Sequence, residues 1–145
     1  QGKENVGQIR QEMREVMTRK VGVFRIEKGL KEAISSLIAF KQRAAKVAVF
    51  TKDMRMNQEL LERWELDNLL DNAMTIAQGA LMRKESRGAH FREDYLERSD
   101  EFQFHTLLSM REFGKVRFGK RPIDMGIHDS KGEHYEQFRI MPRKY

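Results

Sequence analysis

Apolar residues recur at three- and four-residue steps through the first half of this chain. Val6, Ile9, Met13, Val16 and Met17 lay one apolar stripe along a first predicted helix. Val21-Gly22-Val23-Phe24-Arg25 interrupts it with β-branched residues and a glycine, which predicts a bend. A second helix follows, with Ile26, Leu30, Ala33, Ile34, Leu37, Ala44 and Ala48 on one side and Lys31, Glu32, Lys41 and Gln42 on the other. Thr51 to Met56 reads as a polar connector, Asn57 as an N-cap, and Glu59 as a complement to the positive helix end. The third helix is predicted to run to about Arg87. Its stripe of Leu66, Leu69, Leu70, Ala73, Ile76, Ala77, Ala80 and Leu81 is wide enough to need covering on more than one side. Gly88 suits the left-handed C′ position that ends such a helix. Three stripes of these lengths predict an antiparallel bundle.

The period then changes. Phe104, Thr106, Leu108 and Met110 alternate with His105, Leu107, Ser109 and Arg111, as in a strand. Phe113-Gly114 turns the chain, and Val116 and Phe118 return it as a hairpin. From Asp124 onward no period is evident, and such a tail packs on something else or frays. The predicted fold is mainly α: an antiparallel three-helix bundle at about 5–88, then a small β-hairpin and an irregular C-terminal tail at about 89–145. The whole of 1–145 is read as a single domain.

Composition narrows the function classes. The 145 residues include 39% hydrophobic and 34% charged residues, polar for a globular domain but not disordered. There is no Cys, which excludes disulfides, thiolate zinc sites and cysteine nucleophiles. The net charge of +6 suits an anionic partner, but the basic residues are interleaved with 22 acids, the pattern of a solvated mixed surface. A freestanding basic helical module that binds nucleic acid is the alternative from another class; no aromatic interleaving or unbroken basic face supports it, and no nucleic-acid partner is expected. No apolar run approaches the roughly 18 residues of a membrane span, and no signal peptide opens the chain, so no direct membrane insertion is expected.

The densest candidate chemistry is the run Glu85 to Tyr95, E-S-R-G-A-H-F-R-E-D-Y. A carboxylate in the last turn of a helix faces the negative end of the dipole, at a cost of ~0.3–1 kcal/mol. The helical neighbours of Glu85 are Leu81, Met82, Gly88 and Ala89, and none is basic. Glu85 therefore points into water or finds a tertiary partner. Arg87 and Arg92 flank Gly88 and His90 and suit bidentate contact with carboxylates or phosphates; one is expected to pair with Glu85 and the other to reach outward. His90 reads as a hydrogen-bonded structural histidine. Ser86, His90 and Asp94 hold the side chains of a nucleophilic triad, but no G-x-S-x-G elbow surrounds Ser86. His128, Asp129, Glu133 and His134 match no metal-binding spacing. Trp64 and the methionines lie mostly on or beside apolar stripes and are expected in the core. No G-x-G-x-x-G follows a strand, so nothing here is expected to bind a dinucleotide.

The same run resembles the signature of the C-terminal helical domain of succinate dehydrogenase and fumarate reductase flavoprotein subunits, usually written E-S-R-G-A-H-x-R-x-D-Y-P. Leu60 to Leu81 is similar to that family's E-L-x-N-M-L-x-x-A-x-x-x-x-x-S-A-L helix, and Met17 to Leu30 to its G-V-x-R-x-x-x-x-L stretch. His105-Thr106-Leu107 and Gly119-Lys120-Arg121-Pro122-Ile123 resemble elements of its final hairpin, which favours this family over the related L-aspartate oxidase, the other alternative. Leu96 stands in place of the usual proline and Ser99 in place of the first of two aspartates, so the departures fall between Tyr95 and His105.

The resemblance implies a C-terminal fragment of a larger oxidoreductase. FAD would be bound by domains not in this chain, succinate and fumarate interconverted there, and electrons passed to an iron–sulfur subunit. The implied partners are the flavin-binding and capping domains of the same subunit. The implied location is cytoplasmic and peripheral on the inner face of the membrane, or on the matrix side in mitochondria. No catalytic, cofactor-binding or metal residue is carried over. Glu85, Arg87, His90, Arg92 and Asp94 are the candidates for the domain interface.

Overall fold

The computed structural model describes residues 4–124, 126–128, 131 and 134–136. Helix α1 spans Val6–Lys20, with the Asn5 side chain accepting from the Gln8 amide at its start. The expected bend follows and contains a two-residue strand, β1 (Phe24–Arg25). Helix α2 spans Glu27–Ala44 and α3 spans Gln58–Met82, the latter capped by Asn57, which accepts from the Leu60 amide. Then come β2 (Phe91–Arg92), a single 3-10 turn at Asp100–Phe102, and the strands β3 (Phe104–Glu112), β4 (Lys115–Pro122), β5 (Gly126–His128) and β6 (His134–Glu136).

The three helices bury one continuous core. Ile9 and Met13 come from α1, Leu30, Ala33, Leu37, Phe40 and Ala44 from α2, and Leu66, Leu70, Ala73, Met74, Ala77 and Ala80 from α3. These follow the helical period read from sequence, and each fully buried Leu or Ile stabilises the fold by roughly 1.5–3 kcal/mol. Strands β3 and β4 form the expected antiparallel hairpin, with Phe104 opposite Pro122 and Leu108 opposite Phe118. It packs on α3 at Gly79, where an added Cβ would come within 3.0 Å of a Leu108 methyl. Glycine lets the two backbones approach.

Several expectations need correction. Helix α2 stops at Ala44 and does not include Ala48; the chain turns there and Val47 forms a parallel bridge with Glu4. Helix α3 ends at Met82, not near Arg87, and Gly88 caps no helix. Trp64 is exposed, because Leu66 and Leu70 take the buried face and Trp64 lies about 200° around the helix from Leu66. Met54 and Met56 are exposed in the α2–α3 connector, whereas Met13 and Met74 are core. On α3 the stripe is covered by α1, α2 and the hairpin, as its width required, but Leu69 and Ile76 remain exposed. In the segment read as an irregular tail, β5 and β6 pair antiparallel. Residues 125, 129–130, 132–133 and 137–145 lie outside the described residues, among them Asp129 and Glu133.

Pairing of the bend with the later signature was not anticipated. Strands β1 and β2 run parallel, Phe24 beside Phe91 and Arg25 beside Arg92. The Phe91 amide donates to Val23 O and the Glu93 amide to Arg25 O. Two of the stretches that resemble the family, Met17 to Leu30 and Glu85 to Tyr95, thus contribute adjacent strands.

Candidate functional site: the buried ion-pair cluster at the end of α3

After Met82 the backbone becomes extended, with Arg83 at φ −78° and ψ 107°. An extended chain places every second side chain on one side. Arg83, Glu85 and Arg87 consequently face the same way, and the three meet. Glu85 is fully buried. Its Oε1 accepts from Arg83 Nη2 at 2.6 Å and from Arg87 Nε at 3.0 Å, and its Oε2 accepts from the Ser99 amide at 3.1 Å. Burial pushes the Glu85 pKa up, but the hydrogen bonds from Arg87, Arg83 and Ser99 more than offset it and hold the carboxyl below its ordinary range. The tertiary partner required for Glu85 therefore exists, and Arg87 is part of it.

Arg83 lies two residues from Glu85, a spacing that helical periodicity does not bring together but an extended backbone does. Besides Glu85 it donates to Phe102 O, to Phe104 O at 3.1 Å and to the Thr106 hydroxyl at 2.9 Å. Its guanidinium also lies over the Phe104 ring at 5.3 Å. Arg83 therefore ties the end of α3 to the start of β3.

Arg92 does not reach outward. It is completely buried, and its guanidinium turns in toward the end of α3. Nη1 donates to the carbonyls of Ala80 at 3.0 Å, Leu81 at 3.2 Å and Arg83 at 3.2 Å. A cation here satisfies carbonyls that lack an intrahelical partner and meets the negative end of the dipole, which accounts for the helix stopping without a C′ glycine. The other edge of the guanidinium forms a two-bond fork on Asp94, Nε to Oδ1 at 2.7 Å and Nη2 to Oδ2 at 2.8 Å. Asp94 Oδ2 in turn accepts from the Glu27 amide at 2.9 Å. Helix α2 has no side-chain cap of its own at Ile26, so Asp94 provides one from 67 residues away. The Arg92 hydrogen bonds outweigh the burial that opposes them and, with the Glu27 amide, hold the Asp94 carboxyl down at about 2.

His90 lies half-buried between two fixed partners. Nδ1 is 2.6 Å from Arg25 Nη1, and Nε2 is 3.2 Å from Arg83 O. A guanidinium only donates and a carbonyl only accepts. The ring is therefore neutral, with its proton on Nε2. Burial lowers its pKa, and the Arg25, Arg92 and Arg83 charges add to that, against the raising effect of the bond to Arg83 O. This is the structural histidine expected.

Ser86, also buried, donates to Tyr95 O at 2.8 Å and accepts from the Arg92 amide at 2.8 Å. Ser86, His90 and Asp94 each have different partners, so they form no relay. Gly88, at φ +60°, begins a two-residue turn in which Arg87 and His90 exchange backbone hydrogen bonds of 2.8 and 3.1 Å. Positive φ at Gly88 but not at Ala89 is the pattern of a type II′ hairpin. The cluster thus holds a rigid turn whose tip, Gly88-Ala89, is exposed. Beside it lie Val23, Phe24 and Ile26, exposed at 51%, 67% and 42%.

The junction of β1 with α2 is a strand leading into a helix N-terminus, but its Glu27 amide is occupied by the Asp94 carboxylate, which repels an anion. Among the described residues no three His, Asp or Glu side chains come together as a metal site, and no helix is long and apolar enough to cross a membrane.

Comparison with known proteins agrees with this architecture. Residues 10–145 match the family model described as fumarate reductase flavoprotein C-term. The chain is 46% identical over 101 residues to a fumarate reductase flavoprotein subunit of Helicobacter pylori, covering 70% of this chain and 14% of that protein. It is 38% identical over 121 residues to a succinate dehydrogenase flavoprotein subunit of Rickettsia conorii, covering 83% and 20%. Among solved structures, an E. coli quinol fumarate reductase chain superposes with a TM-score of 0.79 at 34% identity, covering 84% of this chain and 21% of that one. Adenylylsulfate reductase of Archaeoglobus fulgidus also superposes, with a TM-score of 0.70 at 26% identity, covering 81% and 19%. The chain belongs to the fumarate reductase flavoprotein C-terminal family, and it spans about a fifth or less of the length of these relatives.

Proposed function

We propose that this domain completes a flavoprotein subunit that interconverts succinate and fumarate, and that its signature end packs on the flavin-binding domain of that subunit. The observation that carries the docking surface is the contrast at the end of α3. Glu85, Arg87, Arg92 and Asp94 are ion-paired within this chain, while Val23, Phe24 and Ile26 face solvent beside the exposed Gly88-Ala89 tip. Glu85, Arg87, His90, Arg92 and Asp94 serve the interface by holding that tip and apolar patch in one position. FAD belongs to the preceding domains, electrons pass to an iron–sulfur subunit, and the subunit lies peripherally at the inner face of its membrane.

The test uses the full-length subunit carrying Val23→Lys with Ala89→Lys. Flavin content per subunit and succinate-dependent dye reduction are expected to fall, while the same pair in the 145-residue chain leaves its melting temperature nearly unchanged. Wild-type flavin content and turnover in the double variant would place the docking surface elsewhere.

A further inference from the structure

The opposite end of the bundle carries a second built surface. Helix α3 spans 25 residues, so its two ends lie about 37 Å apart. At its N-terminal end Phe50, Met54, Met56, Leu61 and Trp64 are exposed at 70%, 78%, 99%, 47% and 56%. Large apolar side chains exposed together in one connector and the first turns of the helix it enters mark an interaction site, and Trp is enriched at the centres of interfaces.

The connector that presents it is held by its own hydrogen bonds. The Phe50 and Thr51 amides both donate to Glu59 Oε2, at 2.8 and 2.9 Å. Asn57 Nδ2 donates to Thr51 O and Asp53 O, each at 2.9 Å, while its Oδ1 caps α3. Met56 sits at φ +54°, the only non-glycine residue with positive φ among those described. Left-handed backbone at an unbranched apolar residue is costly and persists where surrounding bonds impose it. Here those bonds hold a nearly fully exposed methionine in place.

The position of Glu4 indicates what covers this surface. Glu4 forms a bridge with Val47, and its carboxylate is held by Arg43 Nε at 3.1 and 3.2 Å. The polypeptide preceding Glu4 therefore joins the bundle beside the base of the connector. A tethered partner acts at an effective concentration on the order of millimolar, ahead of any free competitor. The matched span is 20% of its Rickettsia conorii relative, and a body of several hundred residues has a radius of gyration on the order of 20 Å, wide enough to face both ends of the bundle.

We infer that the connector and the first turns of α3, from Phe50 to Trp64, form a second docking surface for an apolar face of the preceding body of the same polypeptide, independent of the signature end. This rests on the reading that the chain is part of a longer flavoprotein subunit. The two surfaces clasp the domain from opposite ends.

Hydroxyl-radical footprinting with mass spectrometry tests it, comparing the 145-residue chain with the full-length subunit purified without other subunits. Oxidation of Met54, Met56 and Trp64 is expected to slow several-fold in the full-length subunit, at every protein concentration. Unchanged rates would overturn the inference, as would protection that grows with concentration (a second copy) or appears only when other subunits are added. Phe24 and Phe91 report the signature end in the same experiment. Protection of Phe24 without Met56 and Trp64 removes this inference and leaves the signature docking intact; the reverse removes only the latter. In the full-length subunit, Trp64→Asp is expected to restore rapid oxidation of Met56 while leaving Phe24 protected.

Discussion

Arg92 and Asp94 join the ends of two helices through one two-bond fork, whose guanidinium is fully buried. The guanidinium takes the last carbonyls of α3, and the carboxylate takes the first amide of α2. A cation thus meets the negative end of one helix dipole and an anion the positive end of the next, with the ion pair between them. The pair sets where α3 stops and where α2 starts.

Removing Arg92 takes the side-chain donor from the buried carbonyls of Ala80 and Leu81 and leaves Asp94 with the Glu27 amide alone. Arg92→Ala is expected to destabilise the chain by roughly 3–5 kcal/mol. Arg92→Lys should recover little, because an ammonium cannot reach the carbonyls and form the fork together. Urea unfolding of the three proteins measures both.

Asp94 gives the acid limb of stability a definite window. Its folded pKa of about 2 lies below its ordinary 3.8, so the folded state binds the proton less readily than the unfolded one. Its contribution is complete above the ordinary value and disappears as pH falls from there toward 2. Asp94→Asn should be less stable at neutral pH and show a shallower loss between those limits, with part of the remaining slope due to Glu85, shifted the same way. Thermal melts across pH follow this.

Within the Glu85 cluster the two arginines are unequal. Arg83 serves Glu85, two carbonyls and Thr106, whereas Arg87 serves Glu85 and the Ser99 carbonyl. Arg83→Ala should therefore cost more than Arg87→Ala and should loosen the hairpin as well as the turn. Hydrogen exchange at Phe104 to Met110 distinguishes them: faster in Arg83→Ala, near wild type in Arg87→Ala.

His90 is expected to be neutral and protonated on Nε2 at pH 7, readable from its ring nitrogen shifts. Its folded pKa lies below the ordinary 6.5, so stability falls as pH drops below that value, where only the unfolded state gains the proton. His90→Gln, which can still accept from Arg25 and donate to Arg83 O, should remove that limb of the pH profile.

The turn at Gly88 isolates a backbone effect. An added Cβ there would meet nothing within 4 Å, yet φ is +60°. Gly88→Ala is expected to cost roughly 1–2 kcal/mol from conformation alone. A melting temperature equal to wild type would mean that the turn relaxes without penalty.

The helices and the hairpin were legible because their information is local. A stripe at period 3.6 or alternation at period 2 can be read from neighbouring residues, and the burial of Leu30, Leu37, Leu66 and Leu70 and the pairing of Phe104 to Met110 with the returning strand follow it. Asn57 as a cap was legible for the same reason. The candidate residues Glu85, Arg87, His90, Arg92 and Asp94 stood out by their crowding around one glycine, and all five meet at one end of the bundle.

What those residues do was decided by tertiary structure. Nothing near Met82 in sequence ends α3; the stop comes from Arg92, ten residues later and folded back on the carbonyls. Once the backbone is extended there, the relevant spacing becomes two instead of four, and Arg83 becomes the partner that a helical reading of Glu85 could not find. Asp94 capping α2 and β1 pairing with β2 are likewise contacts across more than 60 residues, which periodicity does not encode. Local pattern sets where apolar surface lies along each element, whereas the ends of elements depend on which distant groups arrive to satisfy their unpaired amides and carbonyls.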